Sequence, residues 1–258
     1  MTTTAIAGIV MVVLIFFTLA LGFPIGLSIG IGSFAGLYII MPKVGALQVA
    51  AQKMFQSVNS FSLLAIPFFV LAGNLMNSGG IARRLVGCAQ LVAHRLPGSL
   101  AQTNIVANML FGAMSGSGVA AAVAMGGILG PMEKEAGYSD EYIAVCNIAS
   151  GPTGMMIPPS NIMIVYSTVA GSVSVAALFM AGYVPGILWG LGCMLVAGVM
   201  AYKRGYVSKE HYTLKYALKT LWDGIPSLLM IVVVIGGILG GIFTATEGSA
   251  IAVAYALI

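Results

Sequence analysis

Apolar residues run along this chain in long blocks, and short polar or Pro/Gly segments divide them. Thr4 to Leu21 is long enough to cross a ~30 Å hydrocarbon core at ~1.5 Å per residue. Gly22-Phe23-Pro24 breaks it, and Ile25 to Ile40 forms a second span, ended by Met41-Pro42-Lys43. Small residues in that span (Gly26, Ser28, Gly30, Gly32, Ser33 and Gly36) predict close helix contact. Val44 to Asn59 sets Gln48, Gln52, Lys53 and Gln56 on one side and reads as an amphipathic helix at the membrane interface. Phe61 to Met76 is a third span, which Pro67 is expected to bend. After the Asn77–Gly80 turn, Ile81 to His94 reads as a second interfacial arm, with Arg83, Arg84 and Arg95 near its ends. His94, with no acidic neighbour in sequence, reads as a surface histidine.

Two later blocks are apolar but interrupted. Leu96 to Met132 holds no charged residue and is too long for one simple span. At its centre lies Gly112-Ala-Met-Ser-Gly-Ser-Gly118. Each flank is about fourteen residues, or ~21 Å of helix, too short to cross the bilayer. The pattern predicts a re-entrant hairpin with its tip at mid-membrane, against one long tilted helix with small residues in its seam. The second interruption is Ser150-Gly-Pro-Thr-Gly-Met-Met-Ile-Pro-Pro-Ser-Asn161. Pro152, Pro158 and Pro159, with Gly151 and Gly154, predict a helix that stops near Ala149 and restarts near Asn161. Broken backbone at membrane depth survives only when buried in protein or lining a wet cavity. Half-helix ends there form a ready ion or anion site, against the plainer reading of a proline-kinked helix.

Between the two blocks, Glu133-Lys-Glu135 to Asp140-Glu141 reads as a solvated loop of mixed charge. Nothing apolar is expected around it to raise a carboxyl pKa. After the Gly171-Ser172 break, Val173 to Tyr202 is a long span closed by Lys203 and Arg204. Lys209 to Asp223 reads as a polar connector, Ile225 to Phe243 as a span, and Gly248 to Ile258 as the opening of another helix.

Threading these spans puts Arg83, Arg84, Arg95, Lys134, Lys203, Arg204, Lys209, Lys215 and Lys219 on one face, and Lys43 and Lys53 on the other. The positive-inside rule then places the hairpin mouth in the cytoplasm and the N-terminus outside. The final forty residues resemble the first forty in kind, with breaks after Phe23 and Phe243 and starts on opposite sides. That is the pattern of an inverted repeat, and doubling the unit predicts a natural chain of roughly 430 residues.

Composition agrees with this reading. The chain is 59% hydrophobic and 7% charged, against about 25% charged in soluble domains. Its net charge of +4 sits in short interhelical segments and is no nucleic-acid signal. Met-Thr-Thr-Thr has no basic n-region, so the N-terminus reads as a span and not a signal peptide. Cys88, Cys146 and Cys193 show no metal spacing. Thirty-four glycines and sixteen methionines suit closely packed membrane helices.

The chemistry of the interruptions is narrow. Leu96 to Met132 and the stretch between Tyr142 and Tyr202 lack Asp, Glu and His, the usual parts of intramembrane proton relays. Carbonyl and hydroxyl oxygens remain, and these suit a hard monovalent cation, so sodium is expected as the coupling ion. Ser115 and Ser117 at the tip are expected to face Gly151, Thr153, Gly154 and Pro158. Ser160 and Asn161, where a half-helix begins, are expected to cap it and leave N–H groups for a substrate anion. The alternative is that these side chains only satisfy freed backbone groups.

Phe111-Gly-Ala-Met-Ser-Gly-Ser-Gly118, then Gly151-Pro-Thr-Gly-Met-Met-Ile-Pro-Pro-Ser-Asn161, resembles the large membrane subunit of tripartite ATP-independent periplasmic transporters, as does Ile66-Pro-Phe-Phe-Val-Leu-Ala-Gly-Asn-Leu-Met76. The resemblance runs along the whole chain. It implies an all-α polytopic membrane protein, an inverted-repeat elevator with re-entrant hairpins and discontinuous helices. Scaffold spans and arm helices would occupy 1–95. The transport-domain hairpin, broken helix and following span would occupy 96–202. A cytoplasmic connector and the start of the second repeat would occupy 203–258. It further implies sodium-coupled uptake of an organic acid across the bacterial inner membrane, with a small membrane subunit and a periplasmic substrate-binding protein as partners. By resemblance, Ser115, Ser117, Gly151, Gly154 and Pro158 match the first sodium site, while Thr153, Ser160 and Asn161 remain candidates for the substrate. The family's second hairpin and second broken helix have no counterpart in these residues. Sialic acids, C4-dicarboxylates and other keto or sugar acids stay open as substrates. The competing classes are a carboxylate transporter working without a binding protein, a channel, and an intramembrane enzyme. Asymmetric breaks argue against the channel. No nucleophile–base or metal constellation within the spans argues against the enzyme.

Overall fold

The computed structural model describes residues 2–41, 43–171, 173–206 and 212–257. Pro42, Ser172 and Lys209, which entered the reading above, lie outside the described residues. Among the described residues every regular element is helical. Four helices are long and apolar enough to cross a membrane: Thr3–Ala20, Phe61–Ser78, Val175–Arg204 and Lys215–Leu239. The chain divides into two compact units, Met1–Ser60 and Phe61–Ile258.

In the first unit, α1 (Thr3–Ala20) and α2 (Ile25–Ile40) fold back on each other through a turn at Gly22, whose φ is +83°. The expected small face of α2 makes this contact. Ser28, Gly32 and Gly36 are buried. A methyl group on Gly32 would strike Ile15, and one on Gly36 would sit 3.5 Å from Met11 Cβ. Gly26 and Gly30 face open space and take no part. The amphipathic helix α3 (Lys43–Val58) follows, with Val44, Leu47, Phe55 and Val58 exposed.

The second unit begins with a 3-10 turn over Phe61–Leu64 that leads into α4 (Ala65–Ser78). Pro67 falls in the first turn of α4, where backbone N–H groups have no intrahelical partner, so it does not bend the helix mid-span. The arm helix α5 (Ile81–Ala93) is amphipathic. Its face of Ala82, Leu85, Val86, Ala89 and Ala93 is buried in the core, and Arg83 and Arg84 point outward. Next come α6 (Ser99–Ser115), α7 (Gly118–Glu135), α8 (Asp140–Ser150), the single turn α9 (Thr153–Met156), α10 (Asn161–Ala170) and α11 (Val175–Arg204). The last two helices are α12 (Leu214–Leu239) and α13 (Ala245–Leu257).

The expected division between a connector ending at Asp223 and a span starting at Ile225 is absent, because α12 runs through both. Pro226 removes one donor, yet packing holds the axis. Gly224 of α12 abuts Cys88, and Gly87 of α5 abuts Thr220 at a would-be methyl distance of 2.9 Å. The Pro226 carbonyl also accepts from Tyr255 Oη at 2.8 Å.

The main core joins α4, α5, α6, α7, α12 and α13 around Phe69, Met76, Leu85, Phe111, Met125 and Leu129. A second cluster ties α6, α8 and α11 together at their polar ends. There Tyr138 stacks on Tyr206 at 4.4 Å, Tyr142 packs edge-on to Tyr138, and Gly98 N–H donates to the Tyr206 carbonyl at 2.9 Å. Tyr142 Oη, fully buried, donates to the Ala197 carbonyl of α11 at 2.8 Å. Tyr142→Phe is therefore expected to lower stability by about 1 kcal/mol. Tyr142→Ala, which empties the ring's site, should cost several times as much, about 3–5 kcal/mol. Unfolding in mixed micelles measures both.

Candidate functional site at the hairpin tip

Two serines flanking one glycine build the tip. α6 closes at Gly116, whose φ of +65° suits only glycine and whose N–H donates back to the Gly112 carbonyl at 2.9 Å. Ser117 is extended and caps α7, its hydroxyl accepting from Ala120 N at 3.3 Å. Ser115 Oγ donates to the Ser117 carbonyl at 3.3 Å. The side of Ser115 rests on α4, where a methyl on Gly73 would lie 3.0 Å from its Cβ.

The break lies directly against this tip. α8 ends at Ser150, α9 makes one turn, Ile157 is extended, and a cis Pro158–Pro159 link leads to Ser160 and α10. Three touch points join tip and break. A methyl on Gly112 would collide with Gly154 Cα, and one on Gly118 with the Gly151 carbonyl. Asn161 N–H donates to the Gly116 carbonyl at 3.1 Å. From the far side, Gly182 and Gly186 of α11 press on Met156 and Ile157, and Gly190 presses on Met109 of α6. These glycines, four residues apart, form a stripe that brings α11 against the broken backbone. The sequence reading passed over the stripe; its signal is the Gly-x-x-x-Gly-x-x-x-Gly spacing itself.

Gly151, Thr153, Gly154 and Pro158 are all buried within this contact. Thr153 Oγ1 donates to the Ser150 carbonyl at 2.6 Å. Ser160 holds the N-cap position of α10 but does not cap it with its side chain. Its hydroxyl donates to the Met155 carbonyl at 2.5 Å instead, because the one-turn α9 leaves that carbonyl free. Asn161 is different: its buried Oδ1 has no partner and sits 3.1 Å from where a methyl on Gly116 would be. An orphaned amide oxygen beside Gly116 is an oxygen of the kind suited to a hard monovalent cation.

Behind the tip lies a polar chain that the sequence reading missed. Asn108 Nδ2 lies 2.8 Å from Ser150 Oγ, 3.1 Å from Asn147 Oδ1 and 3.0 Å from Asn104 Oδ1. Asn104 Nδ2 in turn donates to Glu133 Oε2 at 3.4 Å. Asn147 Nδ2 donates to the Ala122 carbonyl of α7 at 2.8 Å. Polar residues spaced four apart in an apolar block, Asn104 and Asn108, were the available signal. Glu133 corrects the expectation of a solvated carboxyl. It continues the buried face Ala121, Met125, Leu129 of α7 and is fully buried, while Lys134 and Glu135 are exposed. It lies outside all four span candidates, and burial pushes its pKa up to about 7 against the smaller opposing effect of the Asn104 bond.

A family model described as "Tripartite ATP-independent periplasmic transporter, DctM component" matches residues 12–258. An uncharacterized protein, YgiK, of Salmonella typhimurium is 54% identical over 239 residues, covering 93% of this chain and 55% of that protein. The sialic acid TRAP transporter large permease protein SiaM of Vibrio cholerae is 37% identical over 236 residues, 92% of this chain and 55% of its own length. The C4-dicarboxylate TRAP transporter large permease protein DctM of the same organism is 38% identical over 246 residues, 94% of this chain and 53% of its own. The chain thus spans about half the length of the curated relatives it matches.

The tip-to-break contact leaves no room for a side chain. Gly112→Ala is expected to cost about 1–3 kcal/mol through overpacking against Gly154. Gly127→Ala, on an open face of α7, should raise stability by about 0.5–1 kcal/mol. Thermal unfolding of the two variants in parallel measures the difference.

Proposed function

The chain belongs to the DctM component family of tripartite ATP-independent periplasmic transporters, and from that premise we propose that it forms part of the large membrane subunit of a sodium-coupled importer of a small organic acid. The observation that carries this reading is the docking of the hairpin tip on the broken helix, with the Asn161 amide oxygen buried and unpaired between them. Sodium is cargo here. Ser115, Ser117, Gly151, Gly154 and Pro158 would hold it, with the Asn161 amide oxygen added to the set that the sequence suggested. Bound beside the start of α10, the ion supplies positive charge that lowers the cost of bringing a carboxylate into a low-dielectric site. The N-terminal N–H groups of α10 are the complementary anion donors. Thr153 and Ser160 shape this pocket from behind, since their hydroxyls are committed to backbone carbonyls.

In this reading residues 96–202 move as the transport unit, 1–95 serve as scaffold and arms, and 203–258 connect to a second, inverted repeat. Hairpin and break would travel together because their contact is backbone to backbone. The membrane is the bacterial inner membrane, with the N-terminus periplasmic. A small membrane subunit and a periplasmic binding protein complete the assembly. Substrates named for relatives, sialic acid and C4-dicarboxylate, mark the class as small carboxylates.

The test uses the full-length subunit with its two partners in proteoliposomes. Uptake is expected to require an inward sodium gradient and to stop when that gradient is dissipated. Uptake that persists with the gradient collapsed overturns the reading. In thermal unfolding, sodium at ten times its Kd should add about 1.4 kcal/mol over potassium or choline at matched ionic strength. The Ser115→Ala, Ser117→Ala double variant should need about tenfold more sodium, ~1.4 kcal/mol of lost affinity, for the same shift.

A further inference from the structure

Glu133 is buried with almost nothing to satisfy a charge. Its side chain is fully buried, Oε1 has no hydrogen-bond partner, and Oε2 has one long bond, 3.4 Å, from Asn104 Nδ2. Among the described residues no cation lies within ion-pair distance. Lys134, the next residue, is exposed and pairs with Asp140 at 3.0 Å. Arg83 and Arg84 of α5 are exposed. Arg204 of α11 is turned to Ser139 Oγ at 2.7 Å and to the Tyr142 ring at 5.7 Å. The other titratable groups facing Glu133 are Tyr138, and Tyr142 and Cys146 of α8, none of which brings a positive charge. An isolated buried carboxylate is so costly that the group takes up a proton instead.

The position also fits an exchangeable proton. Glu133 sits in the last turn of α7, one residue from exposed Lys134, so the path to solvent is short. Inward, the chain Asn104, Asn108, Ser150 leads to the residue before Gly151. Asn108 Oδ1 is a second buried oxygen without a partner along that chain.

We propose that Glu133 is a proton-binding site built into the hairpin, occupied while α6, α7 and α8 are packed as they are here, and that loss of this proton loosens their packing. The group gives its proton to water when it ionises and regains it from water, so no other reactant is involved. The site stands apart from the cation reading of the tip, and either can fail without the other.

The folded-state pKa lies above the ordinary glutamate value. The unfolded chain therefore ionises first, and the stability conferred by the neutral group is complete in acid and lost as pH rises through the folded pKa. The experiment is an infrared titration of the full-length protein between pH 5 and 9, run beside Glu133→Gln and the exposed-site control Glu135→Gln. The expected result is a protonated-carboxyl C=O band in wild type that disappears near neutral pH, persists in Glu135→Gln and is missing from Glu133→Gln. The wild-type melting temperature should fall across the same interval relative to Glu133→Gln, the neutral isostere. A band that is absent at pH 5, or equally present in Glu133→Gln, overturns the proposal. Should Glu133→Gln not fold, Glu133→Asp keeps a carboxyl at a changed depth and must move the titration midpoint; an unmoved midpoint overturns the proposal as well.

Discussion

Backbone that leaves a helix inside an apolar layer has no water to bond to, so protein must satisfy it. That constraint governs the second unit of this molecule. The break between Ser150 and Asn161 frees donors and acceptors, and several of them are met from nearby. Thr153 and Ser160 turn their hydroxyls onto carbonyls of the break itself. The tip of the neighbouring hairpin supplies the Gly116 carbonyl to Asn161 N–H. Tip and break therefore stabilise each other.

Such satisfaction needs backbones nearly in contact, and this explains where the glycines count. Gly112 and Gly118 admit the break from one side, Gly182 and Gly186 from the other. Between them the one-turn α9 and its flanks are held between the α6–α7 pair and α11. Apolar burial gives little drive in a bilayer, since lipid is as apolar as a core, so close van der Waals packing carries the assembly. Other glycines, such as Gly127 and Gly130, touch nothing within 4 Å and carry none of this.

Much of this was legible in the residues. Three prolines among serine and threonine marked the break, and Ser-Gly-Ser marked the tip, because both residue types act locally on φ and on backbone donors. The α12 boundary was misread because Lys215 and Lys219 make the start of the helix look like a polar connector, while packing of Gly224 and Thr220 on α5 carries one helix through. The glycine stripe on α11 was lost among so many glycines, since which of them meets a neighbour is a tertiary fact. Glu133 was misread through its neighbours. Lys134 and Glu135 made the segment look solvated, while helical phase, counted from Ala121 through Met125 and Leu129, turns Glu133 inward.

The oxygens at the tip are carbonyl, amide and hydroxyl, none of which titrates in the physiological range. About one helix length behind it, α6 and α7 hold a carboxyl that does titrate, joined to the break through Asn104, Asn108 and Ser150. Both features fall on the same pair of helices. Any change in the spacing of α6, α7 and α8 therefore alters the burial of Glu133 and the fit of Gly112 against Gly154 together. The packing of α6 against α7 thus bears on both the fit of the tip against the break and the burial of the carboxyl.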